Sequence, residues 1–131
     1  MYQFISQNNN IAIKVEAKTL ADLFAESLKG VMDVLKLQTN DQGFIKRIVQ
    51  MDSVSQPALL SDFLNQAISM ALAKKEIYTS VDYLEIEDNS IKSQLSAIEV
   101  GGFDQEINSV ESGQITTNPK GRLETIITLG V

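Results

Sequence analysis

The chain has 131 residues, 44% of them hydrophobic and 21% charged, a size and balance that predict one globular domain spanning residues 1–131. It contains no His, Cys or Trp, which excludes imidazole acid-base catalysis, Ser-His-Asp and Cys-His nucleophiles, Cys/His zinc sites and disulfides. The formal net charge of −6 opposes binding to phosphate backbones, so we expect no direct contact with nucleic acid. The sequence has no apolar run long enough to span a membrane and no signal-peptide pattern at its start, so we expect a cytoplasmic protein.

The first part of the chain predicts a strand followed by a helix. Apolar residues at every second position from Ile11 to Ala17 indicate a half-buried strand. Thr19 is a suitable N-cap, and the apolar residues behind it recur at helical spacing from about Leu20 to Lys36. We therefore expect an amphipathic helix that packs one face onto a sheet.

The next part predicts a second strand and a second helix. Asn40-Asp41-Gln42-Gly43 has the composition of a turn, and the β-branched, apolar run from Phe44 to Met51 is typical of a strand. Pro57 suits the first turn of a helix whose apolar stripe continues to Lys74-Lys75. The two lysines favour a helix end there because they complement the helix dipole.

The remainder predicts strands. Residues 77–87 and 90–100 form a hairpin around a tight turn at Asp88-Asn89, and further strands are expected at 104–117 and 122–129. A turn at Asn118-Pro119-Lys120-Gly121 separates the last two. The order β-α-β-α-β-β-β-β predicts an α+β fold with two helices packed on one face of a mostly antiparallel sheet.

A few polar groups could bind a ligand or carry out acid-base chemistry. Two are acidic, and we interpret them as solvated faces because nothing in their spacing selects a metal: Asp82, Glu85, Glu87 and Asp88, then Asp104, Glu106 and Glu111. Polar residues of the second helix could line a groove, although this pattern is more often the wet side of a helix: Asp62, Asn65, Gln66 and Ser69. The Asn8-Asn9-Asn10 run could coordinate something, although Asn is also common in turns.

Several segments, in order and spacing, resemble the archease family. They are Gln7-Asn8-Asn9-Asn10-Ile11-Ala12-Ile13-Lys14-Val15, Lys18-Thr19-Leu20-Ala21-Asp22-Leu23-Phe24, Leu59-Leu60-Ser61-Asp62-Phe63-Leu64-Asn65 and Asp88-Asn89-Ser90-Ile91-Lys92. The resemblance covers almost the whole chain, and the Leu-Leu-x-Asp-Phe-Leu-Asn stretch is its most specific part. It implies a chaperone-like accessory protein in tRNA processing, which helps the tRNA-splicing RNA ligase to become guanylylated and to turn over.

The resemblance also implies a small divalent-cation site, for Ca²⁺ or another divalent ion. In the family motif an Asp stands at the position of Asn10, a His at the position of Gln7 and a further Asp at the position of Gly130. Of the anionic groups that the resemblance assigns to the site, only a terminal carboxylate at Val131 is left in this chain. A second family motif falls on residues 113–118: its Lys becomes Gly113, its His becomes Asn118, and Thr116 is retained. Replacing two carboxylates with an amide and a hydrogen should weaken any ion site considerably, so the resemblance predicts a scaffold without its cofactor.

Three hypotheses remain open. The first is an interaction protein that lacks enzymatic activity and docks on a protein partner such as an RNA ligase, for which an acidic surface is suitable. The second is a metal-dependent activator in which Asn10 and the terminal carboxylate of Val131 bind a cation with help from neighbours such as Asp22 or Asp104. The third is an enzyme that uses the carboxylates at 82–88 or 104–111. A binding role unrelated to RNA is a further alternative, and edge strands leave a homodimer open.

Overall fold

A computed structural model describes residues 1–7, 10–36 and 43–131, with the side chains of all of these except Ser6 and Gln7. Its helices are α1 (Leu20–Leu35) and α2 (Gln56–Lys74). Its strands are β1 (Tyr2–Gln7), β2 (Asn10–Ala17), β3 (Ile45–Asp52), β4 (Glu76–Glu87), β5 (Ser90–Glu99), β6 (Ser109–Ser112), β7 (Thr116–Thr117) and β8 (Leu123–Gly130). The predicted α+β class and the order of the predicted elements are confirmed.

The strands form two antiparallel sheets, where the sequence suggested one. One sheet has the order β1-β2-β8-β6 with β7 also beside β8, and the other has the order β3-β5-β4. The number of sheets could not be predicted because alternation shows which face of a strand is buried, whereas its partners are chosen by distant segments. Ile11 in β2, for example, lies opposite Leu129 in β8.

Both helices pack against both sheets, which corrects the expectation that they cover one face of one sheet. Helix α1 contacts β1, β2 and β8 on one side and β4 on the other, and α2 contacts β6 as well as β3, β4 and β5. The rings of Phe24 and Phe63 meet between the helices, with centroids 6.0 Å apart. The buried positions of α1 spread over about half of its circumference, as contact with two layers requires: Leu23, Phe24, Ser27, Leu28, Gly30, Val31, Met32 and Leu35.

The helix ends follow from local chemistry and match the prediction closely. The hydroxyl of Thr19 accepts a hydrogen bond from the backbone N–H of Asp22 at 3.1 Å, which caps α1. Ser55 caps α2 in the same way by accepting from Ala58, and Pro57 lies in the first turn as expected. Lys75 ends α2 in the left-handed conformation.

The predicted turns and strands at the end of the chain are largely confirmed. The turn at Asp88-Asn89 joins Glu87 to Ser90, and Gly121 donates a backbone hydrogen bond to Asn118 at 2.9 Å across the other turn. The predicted strand at 104–117 is instead two short strands, β6 and β7, because its residues after Ser112 leave the ladder before pairing again.

The N-terminal strand β1 is an addition that the sequence did not predict. It pairs with β2 from Tyr2↔Val15 to Gln7↔Asn10, so the chain reverses between these two strands. Asn8 and Asn9, and the turn residues at 40–42, lie outside the described residues.

Candidate functional site

The structure brings together the first group of positions to which the resemblance assigns metal ligands. Asn10 is the first residue of β2, and Gly130 is the last residue of the neighbouring strand β8. Because these strands are antiparallel and Ile11 faces Leu129, the two positions lie at the same end of the five-stranded sheet. Gln7 pairs with Asn10, and Val131 follows Gly130, so all four positions share this end, which we call the Asn10 end.

The second group of positions lies elsewhere. Gly113 donates its backbone N–H to the carbonyl of Ile126 at 2.8 Å, and Thr116 lies opposite Glu124. Glu124 and Gly130 are separated by six steps along β8, and six steps of an extended strand span roughly 20 Å. Thr116 and Asn118 therefore cannot share one ion with Asn10.

Asn118 has a structural role in the turn that follows it. Its side-chain oxygen accepts hydrogen bonds from the backbone N–H groups of Lys120 and Arg122 at 3.0 and 3.1 Å. Its side-chain nitrogen donates to Glu124 at 3.1 Å. These bonds hold the turn before β8, which accounts for an amide at this position.

Gly130 is packed against a hydroxyl group. A β-carbon added to Gly130 would lie 2.6 Å from Oγ of Ser109, the residue opposite it on β6. Its carbonyl oxygen accepts a hydrogen bond from the backbone N–H of Asn108 at 2.7 Å. The space where a longer side chain would begin is thus already filled by the Ser109 hydroxyl.

The donors at the Asn10 end do not fit a hard divalent cation. Such ions select several carboxylate oxygens, whereas the side chain of Asn10 offers one neutral amide oxygen and those of Gly130 and Val131 offer none, so a terminal carboxylate at Val131 would be the only anionic donor among these positions. Among the polar side chains of β6 and the segment before it, Gln105, Asn108 and Ser109 are neutral, and Asp104 and Glu106 of the same segment are exposed carboxylates. Across the described ranges, no group of three or more Asp, Glu, His or Cys residues is arranged to hold a metal.

A largely apolar cavity of about 430 Å³ lies beside Asn10. Its lining combines side chains of β1, β2, α1 and the loop before β6: Phe4, Ile5, Asn10, Ile11, Val34 and Gln105. Asp104 precedes Gln105 in the sequence and therefore lies near this cavity. Asp22 instead lines a different pocket together with Ala17, which is at the other end of β2 from Asn10. Asp22 is therefore too distant to help Asn10 bind an ion.

The acidic groups identified in the sequence lie on the surface. Asp82 accepts hydrogen bonds from Ser96 at 2.7 Å and from Lys46 at 3.0 Å, and these bonds hold the pKa of the Asp82 carboxyl below its usual value. The other carboxylates of both groups are exposed, as predicted: Glu85, Glu87, Asp88, Asp104, Glu106 and Glu111. A lowered pKa keeps Asp82 ionised, so it is unsuited to act as a general acid near neutral pH.

Of the polar residues named on α2, Asp62, Gln66 and Ser69 lie on its exposed side, as the preferred interpretation expected, and Asn65 has a structural role. The side chain of Asn65 accepts a hydrogen bond from the backbone N–H of Val110 at 3.0 Å and donates to the Val110 carbonyl at 2.9 Å. The Ser61 hydroxyl accepts from the backbone N–H of Ser112 at 2.9 Å. Together these bonds attach β6 to α2, and β6 carries the Ser109 that faces Gly130.

Sequence reasoning missed a buried polar network in the three-stranded sheet. Glu76 is only 1% exposed, and its carboxylate accepts two hydrogen bonds from Arg47, at 2.7 and 3.0 Å, and one from the Tyr78 hydroxyl at 3.1 Å. The hydrogen bonds from Arg47 hold the pKa of Glu76 below its usual value, and burial raises the pKa of Tyr78 well above its own. The sequence did contain one signal of this network, because Glu76 and Tyr78 are two residues apart and so share one face of a strand. The predicted strand began at Ile77 and therefore left Glu76 out.

Comparison with solved structures defines the class of fold. The chain superposes on the solution structure of protein 1598 from Methanobacterium thermoautotrophicum with a TM-score of 0.70 and 11% identity, covering 99% of this chain and 98% of that one. It also superposes on the crystal structure of an archease described as a possible chaperone from Thermotoga maritima, with a TM-score of 0.67 and 13% identity, covering 97% and 94%. At these identities the likeness concerns the fold.

The sequence match defines the family. Residues 2–118 match the model of the Archease protein family (MTH1598/TM1083), so the chain belongs to the archease family. None of the curated proteins matches the sequence. No helix within the described residues is both long and apolar enough to cross a membrane.

Proposed function

We propose that this chain is an accessory protein without enzymatic activity of its own, which docks on the RNA ligase of tRNA splicing and supports its guanylylation and turnover without the family's divalent cation. The family membership supports the accessory role, and the structural neighbour described as a possible chaperone agrees with it. The net charge of −6 suits a cytoplasmic partner with a basic, RNA-binding surface.

The observation that carries the loss of the cation is the chemistry of the Asn10 end. Asn10 and Gly130 are adjacent, as an ion site would require, but neither side chain is anionic, and the Ser109 hydroxyl fills the space beside Gly130. Amide groups donate as well as accept hydrogen bonds, so they suit the backbone of a partner protein better than a bare cation. The apolar cavity beside Asn10 adds a surface for a partner's side chain.

Thermal melting tests the cation directly. A ligand that binds only the folded state raises the melting temperature, so we compare chelator with millimolar Ca²⁺ or Mn²⁺. We expect no shift for the natural chain and a rise for the triple variant Asn10→Asp, Gly130→Asp, Ser109→Gly, which restores two carboxylates and makes room for one of them. A clear rise for the natural chain would contradict the proposed loss.

A ligation assay in chelator tests the partner. The purified ligase from the same organism is followed through several turnovers with and without this protein, and we expect more product with it. Asn10→Lys and Thr116→Lys are a matched pair, because both residues are exposed on one face of the sheet at opposite ends of β8. We expect Asn10→Lys to reduce the stimulation and Thr116→Lys to leave it unchanged.

The second candidate is an archease that still depends on a metal. The observation in its favour is that Gln105 lines the same cavity as Asn10, which places Asp104 in that neighbourhood. This candidate predicts that the natural chain melts higher with the cation and stimulates the ligase only when the cation is present. If the chain neither responds to cations nor affects the ligase, a protein-binding role unrelated to RNA becomes the better interpretation.

A further inference from the structure

Strand β3 is a regular and unprotected edge of the three-stranded sheet. It pairs with β5 without interruption from Ile45↔Ala97 to Asp52↔Ser90, and no described strand pairs with its other side. The opposite edge, β4, has register shifts between Tyr78 and Ser80 and between Val81 and Tyr83. Irregularities of this kind protect an edge from pairing with other chains, and β3 has none.

The outer surface beside this edge is apolar to an unusual degree. Phe44 is 85% exposed, Ile48 is 65% exposed and Val54 is 89% exposed. All three stand at even-numbered positions, so Phe44 and Ile48 project to the same outer side as Lys46. The same side carries Lys46, Gln50 and Asp52, so large exposed apolar side chains alternate with polar ones within and beside the free edge, as on a surface that another strand covers.

The orientation of the backbone determines which residues can pair across this edge. The carbonyl of Val49 accepts a hydrogen bond from the side-chain hydroxyl of Ser93, its partner on β5, at 3.0 Å, and the N–H of Ser53 donates to the carbonyl of Asn89 at 2.9 Å. Both therefore point towards β5. Because the direction alternates along an antiparallel strand, the backbone groups of the even-numbered residues point to the free edge.

The residues of β3 complement a second copy of the same strand. When two copies run antiparallel and are centred on Val49, Lys46 of one lies opposite Asp52 of the other, and Phe44, just before the strand, comes to the same end of the pair as Val54, just beyond it. Centring on Ile48 would instead place Phe44 opposite Asp52, and a parallel pair would align the two Lys46 residues. Only the first of these arrangements joins opposite charges; it also covers Ile48 with Gln50 and brings Phe44 and Val54 together at each end, each contact occurring twice by symmetry.

We propose that β3 is a homodimer interface, through which two copies join edge to edge, antiparallel and centred on Val49, so that one continuous sheet crosses both copies. The occupant of the edge is therefore a second copy of this chain. Opposite charges and apolar contacts fix the register, and the backbone hydrogen bonds of the even-numbered residues supply the pairing.

The first test is the mass of the protein in solution as a function of concentration. We expect a dimer for the natural chain and a monomer for Ile48→Pro, because proline removes an N–H that faces the free edge and leaves pairing with β5 intact. Because the dimer is symmetric, the substitution removes one hydrogen bond from each copy, so the dissociation constant of the dimer should rise by about tenfold or more. A natural chain that stays monomeric at millimolar concentration, or an Ile48→Pro variant that stays dimeric, would overturn the proposal.

The second test establishes the register. Asp52→Lys alone places lysines opposite each other, and Lys46→Asp alone does the same with carboxylates, so each variant should be monomeric. Mixed together they should form a heterodimer, in which every such pair has opposite charges. Each substitution also removes a bond within its own copy, from Lys46 to Asp82 or from Ser90 to Asp52, so the melting temperature of both variants is measured first to show that they are folded. A mixture of folded variants that stays monomeric would contradict this register.

Discussion

The two sheets pack against the same two helices, but they differ in the interactions that stabilise them as sheets. The five-stranded sheet contributes apolar side chains such as Ile13, Ile127 and Leu129 to the core, all of them fully buried. The three-stranded sheet also buries the carboxylate of Glu76, which depends on Arg47 and Tyr78. The first sheet is therefore stabilised largely by hydrophobic burial, which pH does not change. The second contains a buried carboxylate whose contribution to the stability of the protein depends on pH.

Removing apolar volume from the five-stranded sheet should have the largest effect. Ile127 has no exposed surface and lies opposite Ile13 in the middle of the sheet. Ile127→Ala should lower the free energy of unfolding by about 3 kcal/mol, because it removes buried methyl groups and leaves a cavity. Urea unfolding at several pH values measures this. A loss that changed strongly between neutral and acidic pH would contradict the comparison of the sheets.

Removing the partner of the buried carboxylate should have a similar effect that depends on pH. Arg47→Met leaves Glu76 buried and charged, so we expect a loss of about 3 kcal/mol at neutral pH, near the low end for a broken buried ion pair because Arg47 is partly exposed. In the natural protein the pKa of Glu76 is lowered, so its contribution is present above the ordinary value of 4.5 and is lost as pH falls through the folded value.

Without Arg47, burial should raise the pKa of Glu76 in the variant, so the difference between Arg47→Met and the natural chain should shrink as pH falls and Glu76 becomes protonated, first in the folded variant and then in the folded natural protein. Denaturant unfolding at neutral and acidic pH checks this, with Ile127→Ala as the control that should not respond. The double variant Arg47→Met, Glu76→Gln should recover much of the loss, since it removes the unpaired charge and retains an acceptor for the Tyr78 hydroxyl. No recovery would mean that packing of Arg47, and not its charge, stabilises the sheet.

Those elements that depend on local chemistry could be predicted from the sequence. The end of α1 was expected at Lys36 and lies at Leu35, because the cap at Thr19 and the spacing of apolar residues are both local signals. Strand β1 and the division into two sheets were missed, because strand partners are set by contacts between distant segments. Tyr2 shows this, since it lies opposite Val15 and donates a hydrogen bond to Asp33 on α1.

The candidate site also has a part that the sequence predicted and a part that only the structure shows. The family resemblance identified Asn10 and Gly130, but only the register of β2 with β8 shows that they are adjacent and that Thr116 is distant. The buried partnership of Arg47 with Glu76 joins two strands that do not pair directly with each other, so no pattern within either strand could reveal it.

A methyl group added to the three-stranded sheet should have a moderate effect. At Gly43 it would lie 2.8 Å from both the backbone N and the backbone O of Ala97, and these atoms cannot move without disturbing β5. Gly43→Ala should therefore destabilise the protein by about 2 kcal/mol through overpacking. The measurement is again denaturant unfolding. A neutral result would mean that the segment before β3 packs more loosely against β5 than the contact distances indicate.

The same change in the five-stranded sheet should have the smallest effect. A methyl group at Gly130 would lie 2.6 Å from Oγ of Ser109, but this hydroxyl can rotate to another staggered position. Gly130→Ala should therefore change stability by less than about 0.5 kcal/mol, within the usual range for surface positions, and Ser109→Gly should remove any residual cost. If Gly130→Ala cost as much as Gly43→Ala, the Ser109 hydroxyl would be fixed. The packing of this sheet would then itself require a glycine at position 130.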